Sequence, residues 1–238
     1  MYKYYIFDLY GTLVDIRTNE KKTYLWNKMS ELYSSFGILY TPKELKKTFD
    51  EIKKQLEDEV GKLGEPDYSR LFWEIGKRKN VDCDSQMIAY LAVTFRVLSR
   101  NQFGIYDGVK ETLQELKQQG KGIYLLFNAQ ALFTRPELEQ LQLISYFDEI
   151  LISSEVGYKK PSKEFYNMLF THCGLKPEEC LMVGNDETCD IVGAHEVGMD
   201  ALYIHTEISP EFTGKSKPEY AVMDGDWGKV RKILTSFL

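Results

Sequence analysis

Four short stretches of this chain carry side chains that do chemistry when they meet. They are Asp8, Tyr10 and Thr12 in FDLYGTL; Asn128, Ala129 and Gln130 after YLLF; Ser153, Glu155 and then Lys159-Lys160-Pro161; and Asn185, Asp186 and Asp190 in VGNDETCD. Each follows a short apolar run, and any one alone reads as ordinary loop polarity. Together they form a coherent set. Carboxylates gathered at one place repel one another unless a cation lies between them. Oxygen ligands with room for water suit Mg²⁺. A lysine and an asparagine nearby can bind an anionic group that also touches the metal, and such a site stabilises charge on a transferring phosphoryl group. A carboxylate can then attack and form an acyl phosphate, which water hydrolyses.

The elements that must position these groups are legible as hydrophobic patterns. Lys3 to Phe7 reads as a buried strand ending at Asp8, after which Gly11 and Thr12 turn the chain. From Gly104 onward strand and helix alternate: helix 108–119, strand 122–127, helix 136–143, strand 149–153, helix 163–173, strand 180–183, helix 188–197, strand 201–204 and a last helix 227–236. That alternation predicts a parallel sheet covered on both faces. Ligands of open parallel sheets bind beyond the carboxyl ends of the strands, where all four stretches fall. Between Ile16 and Gln102 the texture changes. Leu45, Phe49, Ile52 and Leu56, and then Ile88, Leu91, Ala92, Phe95 and Leu98, recur at helical spacing. Breaks at Gly37, Thr41-Pro42, 61–66 and 80–84 divide this part into about four helices, with no strand predicted. The expected class is α/β: a parallel-sheet core of residues 1–15 plus 104–238, with an α-helical cap of residues 16–103 inserted after the first strand.

Composition narrows the function classes. A chain of 238 residues with 43% hydrophobic and 28% charged residues has the material for a sizeable core. A formal net charge of −6 argues against nucleic acid as the partner. The basic pairs Lys21-Lys22, Lys46-Lys47 and Lys159-Lys160 read mostly as solvated surface. Cys83, Cys173, Cys180 and Cys189 are scattered with no C-x-x-C pair, which predicts reduced thiols rather than disulfides or a zinc site. No stretch approaches the ~20 apolar residues of a membrane helix, and the N-terminus lacks a signal-peptide pattern. We expect a cytoplasmic protein with no membrane partner. His172, His195 and His205 are isolated and read as structural or surface groups, and Trp26 and Trp73 as packing residues.

Taken in order, the four stretches resemble the motifs of the haloacid dehalogenase superfamily, in the branch whose helical cap follows the first strand. The resemblance covers nearly the whole chain, the cap by position and helical character only. It implies a Rossmann-like core. Asp8-Leu9-Tyr10-Gly11-Thr12-Leu13 is similar to the family's D-x-D-G-T-L or D-x-Y-G-T-L. This implies Asp8 as nucleophile and metal ligand, the Tyr10 carbonyl as a further ligand, and Thr12 in orienting the site and binding substrate. Leu125-Leu126-Phe127-Asn128 is similar to the asparagine-bearing strand end and implies substrate binding by Asn128. Gly157-Tyr158-Lys159-Lys160-Pro161 implies Lys160 as the phosphate-binding, charge-balancing lysine. Val183 to Asp190 is similar to the acidic metal loop, read with Asp186 and Asp190 as its D-x-x-x-D pair.

Three positions depart from the family's phosphatases. Tyr10 stands where they carry a second Asp, which protonates the leaving oxygen and later activates water. A tyrosine with a pKa near ~10 is a poor base at neutral pH, although its hydroxyl can still donate a hydrogen bond. Phe127 replaces a Ser or Thr, and Asn185 replaces an Asp. The leading expectation is a Mg²⁺-dependent phosphatase of a small phosphorylated metabolite, with the cap and the loop after Gly11 (Asp15, Arg17, Lys21 and Lys22) choosing the substrate. The second is a 2-haloacid dehalogenase, in which Asp8 displaces halide without metal and Arg70, Arg96 or Arg100 holds the substrate carboxylate. The third is a weakly active or non-catalytic member that binds a ligand or partner, motivated by Tyr10 and Phe127. The sequence carries no signal of oligomeric state.

Overall fold

A computed structural model describes residues 2–237. In chain order its elements are β1 (Tyr4–Phe7), β2 (Val14–Thr18), α1 (Thr23–Ser35), α2 (Pro42–Val60), α3 (Tyr68–Lys77), α4 (Ser85–Ser99), β3 (Arg100–Ile105), α5 (Val109–Gln118), β4 (Gly122–Phe127), α6 (Ala131–Gln140), β5 (Glu149–Ile152), α7 (Ser153–Val156), α8 (Lys163–Cys173), β6 (Cys180–Gly184), α9 (Gly193–Glu196), β7 (Asp200–Ile204), β8 (Tyr220–Val222) and α10 (Trp227–Thr235). Six strands pair in the order β5-β4-β1-β6-β7-β8, every neighbouring pair parallel. Strand β1 lies inside the sheet, and Tyr5, Ile6 and Phe7 are fully buried, as a strand covered on both faces requires. Phe7 registers with Leu125 on one side and Val183 on the other. The loops that follow β1, β4 and β6 therefore leave the sheet at the same edge.

Alternation along the strands builds a core on each face. Tyr5, Phe7, Leu125, Val183 and Leu202 pack with Val109, Leu113 and Leu116 of α5 and Val230 and Leu234 of α10. Ile6, Leu126, Met182 and Tyr203 pack with Phe165, Tyr166 and Leu169 of α8 and with Ile191 and Ala194. Helices α1–α4 share a third cluster, including Leu25, Trp26, Phe49, Phe72 and Phe95, and Phe133 of α6 joins it. The helical segment thus shares apolar packing with the α/β part through one helix of the latter.

Four elements differ from the sequence reading. Residues 16–102 are not strand-free, because β2 and β3 form an antiparallel ribbon from Val14↔Ile105 to Thr18↔Arg100. The expected boundaries at 15/16 and 103/104 fall inside this ribbon. Its mixed sequences, VDIRT and RNQFGI, bury little, so the apolar pattern was too weak to see. The helix expected over 136–143 is α6, which begins at Ala131 and carries Pro136 inside it; proline's preference for a first turn pointed too far along the chain. The helix expected from Thr188 opens as a wide π-helical turn, Glu187–Val192, before α9. Strand β8 was not expected, being only three residues long.

Candidate active site

Asp8 follows β1 directly, and its N–H donates to the Val183 carbonyl at 2.9 Å, extending the β1–β6 ladder by one bond. The amides of Leu13 and Val14 then both fold back on the Leu9 carbonyl, at 2.8 and 2.9 Å. Gly11 makes this tight loop possible. Its φ is +84°, and a Cβ there would overlap the Asn185 amide. The Thr12 hydroxyl is fully buried, 3.2 Å from both Asp8 Oδ2 and Asn185 Oδ1. Thr12 therefore sits behind the nucleophile candidate, not on the wall of the cleft.

Lys160 arrives from the loop after α7. Its ammonium, on a side chain only 2% exposed, lies 2.8 Å from Asp8 Oδ1 and 2.7 Å from Asp190 Oδ1. Burial works against its charge, but Asp190 and Asp8 outweigh burial and hold the group above the ordinary lysine range. Asn128, at the end of β4, clamps the lysine's backbone. Its Oδ1 accepts from the Lys160 N–H at 2.8 Å and its Nδ2 donates to the Lys160 carbonyl at 2.9 Å. Asp190 reaches Lys160 because the π-helical turn directs it inward and because residue 184 is glycine; a Cβ there would overlap the Asp190 carboxylate. Burial pushes the Asp190 carboxyl upward, with Lys160 opposing and Asp8 reinforcing that shift.

Of the seven residues given a site role by the resemblance, all but Thr12 line one cleft of about 210 Å³: Asp8, Tyr10, Asn128, Lys160, Asp186 and Asp190. Asn185, Cys189, Ile208 and Pro210 complete it. The last two lie on the loop after β7, which sequence reasoning passed over because it carries no charged motif.

The donor set can be tested against a cation. Both Asp190 oxygens are engaged, Oδ1 by Lys160 and Oδ2 by the Asp186 N–H at 2.9 Å. Asp186 Oδ1 accepts from the amides of Thr188 and Cys189, both at 2.8 Å, and so caps the π-helical turn. Among the described residues no three Asp, Glu, His or Cys side chains converge as a ready cation cage. The second Asp186 oxygen remains, with Asp8 Oδ2 and the side-chain Asn185 Oδ1, whose neighbour is the Thr12 hydroxyl. Mg²⁺ is commonly held by one or two carboxylates together with water and substrate oxygens, so these residues fit it and do not fit a metal that needs four protein ligands.

The Tyr10 hydroxyl, expected to donate a hydrogen bond rather than act as a base, turns to α6. It donates in a short bond to Glu137 Oε2 and lies 2.9 Å from the Thr134 hydroxyl. Burial, with the Glu137 charge next, holds the phenol above its ordinary range, and Arg96 opposes. The proton stays on Tyr10 and points to Glu137, which removes the side chain as a base. Glu137 is 4% exposed and also accepts from Arg96 Nε at 2.8 Å, while Arg100 Nη1 stands 3.6 Å away without a hydrogen bond. The Arg96 guanidinium lies over the Tyr10 ring, 5.2 Å from its centre. Sequence reasoning missed this cluster because nothing local in the helix read over 136–143 marks Glu137 as buried.

The residues expected to choose the substrate are occupied elsewhere or lie outside the cleft. Asp15 and Arg17 are 3.6 Å apart on the ribbon. Lys22 donates to the carbonyls of Leu98, Ser99 and Arg100 at the end of α4, and Lys21 does not line the cleft. Of the three arginines a dehalogenase would draw on, Arg70 pairs with Glu59 at 2.6 Å, and Arg96 and Arg100 turn to Glu137. The histidines are structural or surface groups, with Glu149, Glu219 and the Tyr203 hydroxyl as their partners, and the four cysteines are free.

Known proteins align with this chain. A family model described as haloacid dehalogenase-like hydrolase matches residues 2–198. The chain is 30% identical over 151 residues to the glyceraldehyde 3-phosphate phosphatase of Methanothermobacter thermautotrophicus, covering 62% of this chain and 64% of that protein. Matches to the first such relatives span between 42% and 64% of their length. Among solved structures, the HAD phosphatase of Thermococcus onnurineus aligns with a TM-score of 0.62 at 21% identity, over 98% of this chain and 97% of that one. The 2-haloacid dehalogenase of Pseudomonas syringae pv. Tomato DC3000 aligns with a TM-score of 0.71 at 17% identity over the whole of both chains. At these identities the two structures share the fold.

Proposed function

Because this chain belongs to the haloacid dehalogenase-like hydrolases, we propose that it is a Mg²⁺-dependent phosphatase of a small phosphorylated metabolite, working through an aspartyl phosphate on Asp8. One observation carries the reading: a buried ammonium, Lys160, bridges Asp8 and Asp190 in a small polar cleft at the strand ends. That charge suits a phosphoryl group bound against the nucleophile. A likeness to a glyceraldehyde 3-phosphate phosphatase adds support.

In this reading one oxygen of the Asp8 carboxylate attacks phosphorus and the other is left for the cation. The bond from phosphorus to the ester oxygen breaks, and the leaving oxygen takes a proton from water. A second water then attacks the acyl phosphate, releasing inorganic phosphate and restoring the Asp8 carboxylate. Lys160 balances charge on the transferring group. Asn128 and Asp190 position Lys160, and Thr12 steadies Asp8. Asp8, Asp186 and the Tyr10 carbonyl would hold Mg²⁺, which supplies polarisation of the phosphoryl oxygens. The helices α1–α4 would act as the cap. The free cysteines fit the reducing cytosol, no helix among the described residues is long and apolar enough to cross a membrane, and the acidic balance disfavours nucleic acid.

Hydrolysis of an aryl phosphate, assayed with Mg²⁺ and with a chelator, tests the reading. Turnover that needs the metal and disappears in Asp8→Asn is expected; silence across a broad phosphate panel would sink it. The second reading, a metal-free 2-haloacid dehalogenase, is favoured by Tyr10 at the position of the acid. It lacks an arginine on the cleft wall. Halide release from 2-chloropropionate in chelator would establish it in place of the first.

A further inference from the structure

We propose that the loop of residues 206–216, after β7, is the specificity wall of the cleft, and that it selects phosphomonoesters whose carbon skeleton beside the phosphate is uncharged and apolar. This rests on the phosphatase reading above. The cleft is lined by residues of the α/β part alone, none coming from α1–α4. Its charged floor is Asp8, Lys160, Asp186 and Asp190. Ile208 and Pro210 supply an apolar wall against that floor. Ile208 lies over the nucleophile loop, where a Cβ on Gly11 would come within 2.9 Å of its Cγ1.

The loop is fastened to the catalytic segments on both sides. The Thr206 hydroxyl donates to the Gly11 carbonyl at 2.8 Å. Ser209 Oγ accepts from Asn185 Nδ2 at 3.2 Å and from the Thr206 N–H at 2.9 Å. Further on, the Glu187 carboxylate accepts from the Ser216 N–H at 2.8 Å, the Ser216 hydroxyl at 2.9 Å and the Thr213 N–H at 2.5 Å. Phe212 stacks on Tyr203 of β7 with ring centres 4.6 Å apart. A wall tied this way is in place before substrate arrives, so apolar contact with it costs little ordering. The polarity of the wall is also selective. Ile208 and Pro210 offer no partner to a charged carbon chain. A second anionic group on the substrate would lose hydration there without gaining a partner.

Calorimetric titration of the Mg²⁺-loaded protein with methyl-, propyl- and phenylphosphonate, and with phosphonoacetate, tests this without turnover. Affinity is expected to rise by up to about fourfold for each methylene buried, with phosphonoacetate weaker than propylphosphonate. In Ile208→Ala, and separately in Pro210→Ala, the ratio of propyl to methyl affinity should fall. Equal affinity for methyl and propyl ligands in the wild type, tighter phosphonoacetate, or an unchanged ratio in both variants would overturn the wall while leaving the phosphatase reading standing. Binding of none of the phosphonates would overturn both.

Discussion

At the residue scale the site turns on Lys160. Lys160 is 2% exposed and its ammonium faces two carboxylates, Asp8 and Asp190. Removing one partner of a buried charge pair costs about 3–5 kcal/mol, because the other charge is left without compensation. Lys160→Met should lose about that much stability in guanidine unfolding, and turnover should fall at least ~100-fold. Adding Asp190→Asn should recover most of the stability and none of the turnover; full loss of both in the double variant would mean the pair does not set the energy. Tyr10 leads to a second prediction. With its proton committed to Glu137, Tyr10 gives a leaving oxygen no acid assistance, a contribution worth about 10²–10⁴-fold where it is present. Rates should therefore climb steeply as the leaving alcohol becomes more acidic, aryl phosphates far outpacing alkyl ones; a flat dependence on leaving-group pKa would reveal an acid elsewhere. The sequence made Asp8, Asn128, Lys160 and Asp190 legible because each sits at a fixed offset from an apolar run. It could not show that Tyr10 turns to Glu137, 127 positions away, since nothing local in either segment requires the contact.

At the element scale, the seam between α4 and α6 carries a buried ionic cluster. Glu137 accepts from Arg96 and Tyr10 and stands 3.6 Å from Arg100. Glu137→Ala would leave two largely buried arginines unmatched, a loss of about 3–5 kcal/mol by the same reasoning. Glu137→Gln should cost less, since it keeps oxygen for Tyr10. Urea unfolding of the two variants checks the order, and equal losses would show that shape rather than charge holds the seam. At the far edge of the sheet, Glu219 Oε2 accepts from the Ala201 N–H at 2.7 Å and pairs with His195 at 3.2 Å, joining the chain before β8 to β7 and α9. Burial raises its pKa, but the Ala201 amide and His195 outweigh burial and hold it below the usual glutamate value. A depressed folded-state pKa contributes stability that is present above the unfolded value of about 4.3 and lost as pH falls through the folded one. Glu219→Gln should therefore flatten part of the melting-temperature profile below about pH 4.3 and leave its slope near neutrality alone. The alternation from residue 104 onward was readable because parallel strands are apolar on both faces. Ribbon β2–β3 was not, because its residues are mostly half-exposed and mixed in polarity.

At the scale of the whole molecule, the helical segment is seated on the α/β part by contacts that converge on the loops of the site. The Gln130 amide, just after Asn128, donates to Glu65 and to the Pro66 carbonyl and accepts from the Tyr68 N–H, all at 2.8 Å. The Leu63 carbonyl accepts from the Lys159 N–H at 3.1 Å, and Glu65 N–H donates to Gly157. The segment thus braces the loop bearing Lys160 from outside while leaving the cleft walled by the α/β part alone. Strand order could not be read from the sequence, since alternation fixes parallel pairing and not which strands are neighbours; the central place of β1 became visible only with the register. This bracing bears on metal dependence. The two acids nearest Lys160 already share its charge, so we expect the fold to assemble the site without a divalent cation. Chelation should abolish turnover and leave a cooperative melt. Adding Mg²⁺ should raise the melting temperature only by mass action, about 2.7 kcal/mol at a hundredfold excess over its dissociation constant, or roughly 5–10 °C for a chain of this size. A far larger shift, or loss of cooperativity in the chelated protein, would mean that the cation and not Lys160 holds the acidic loop in place.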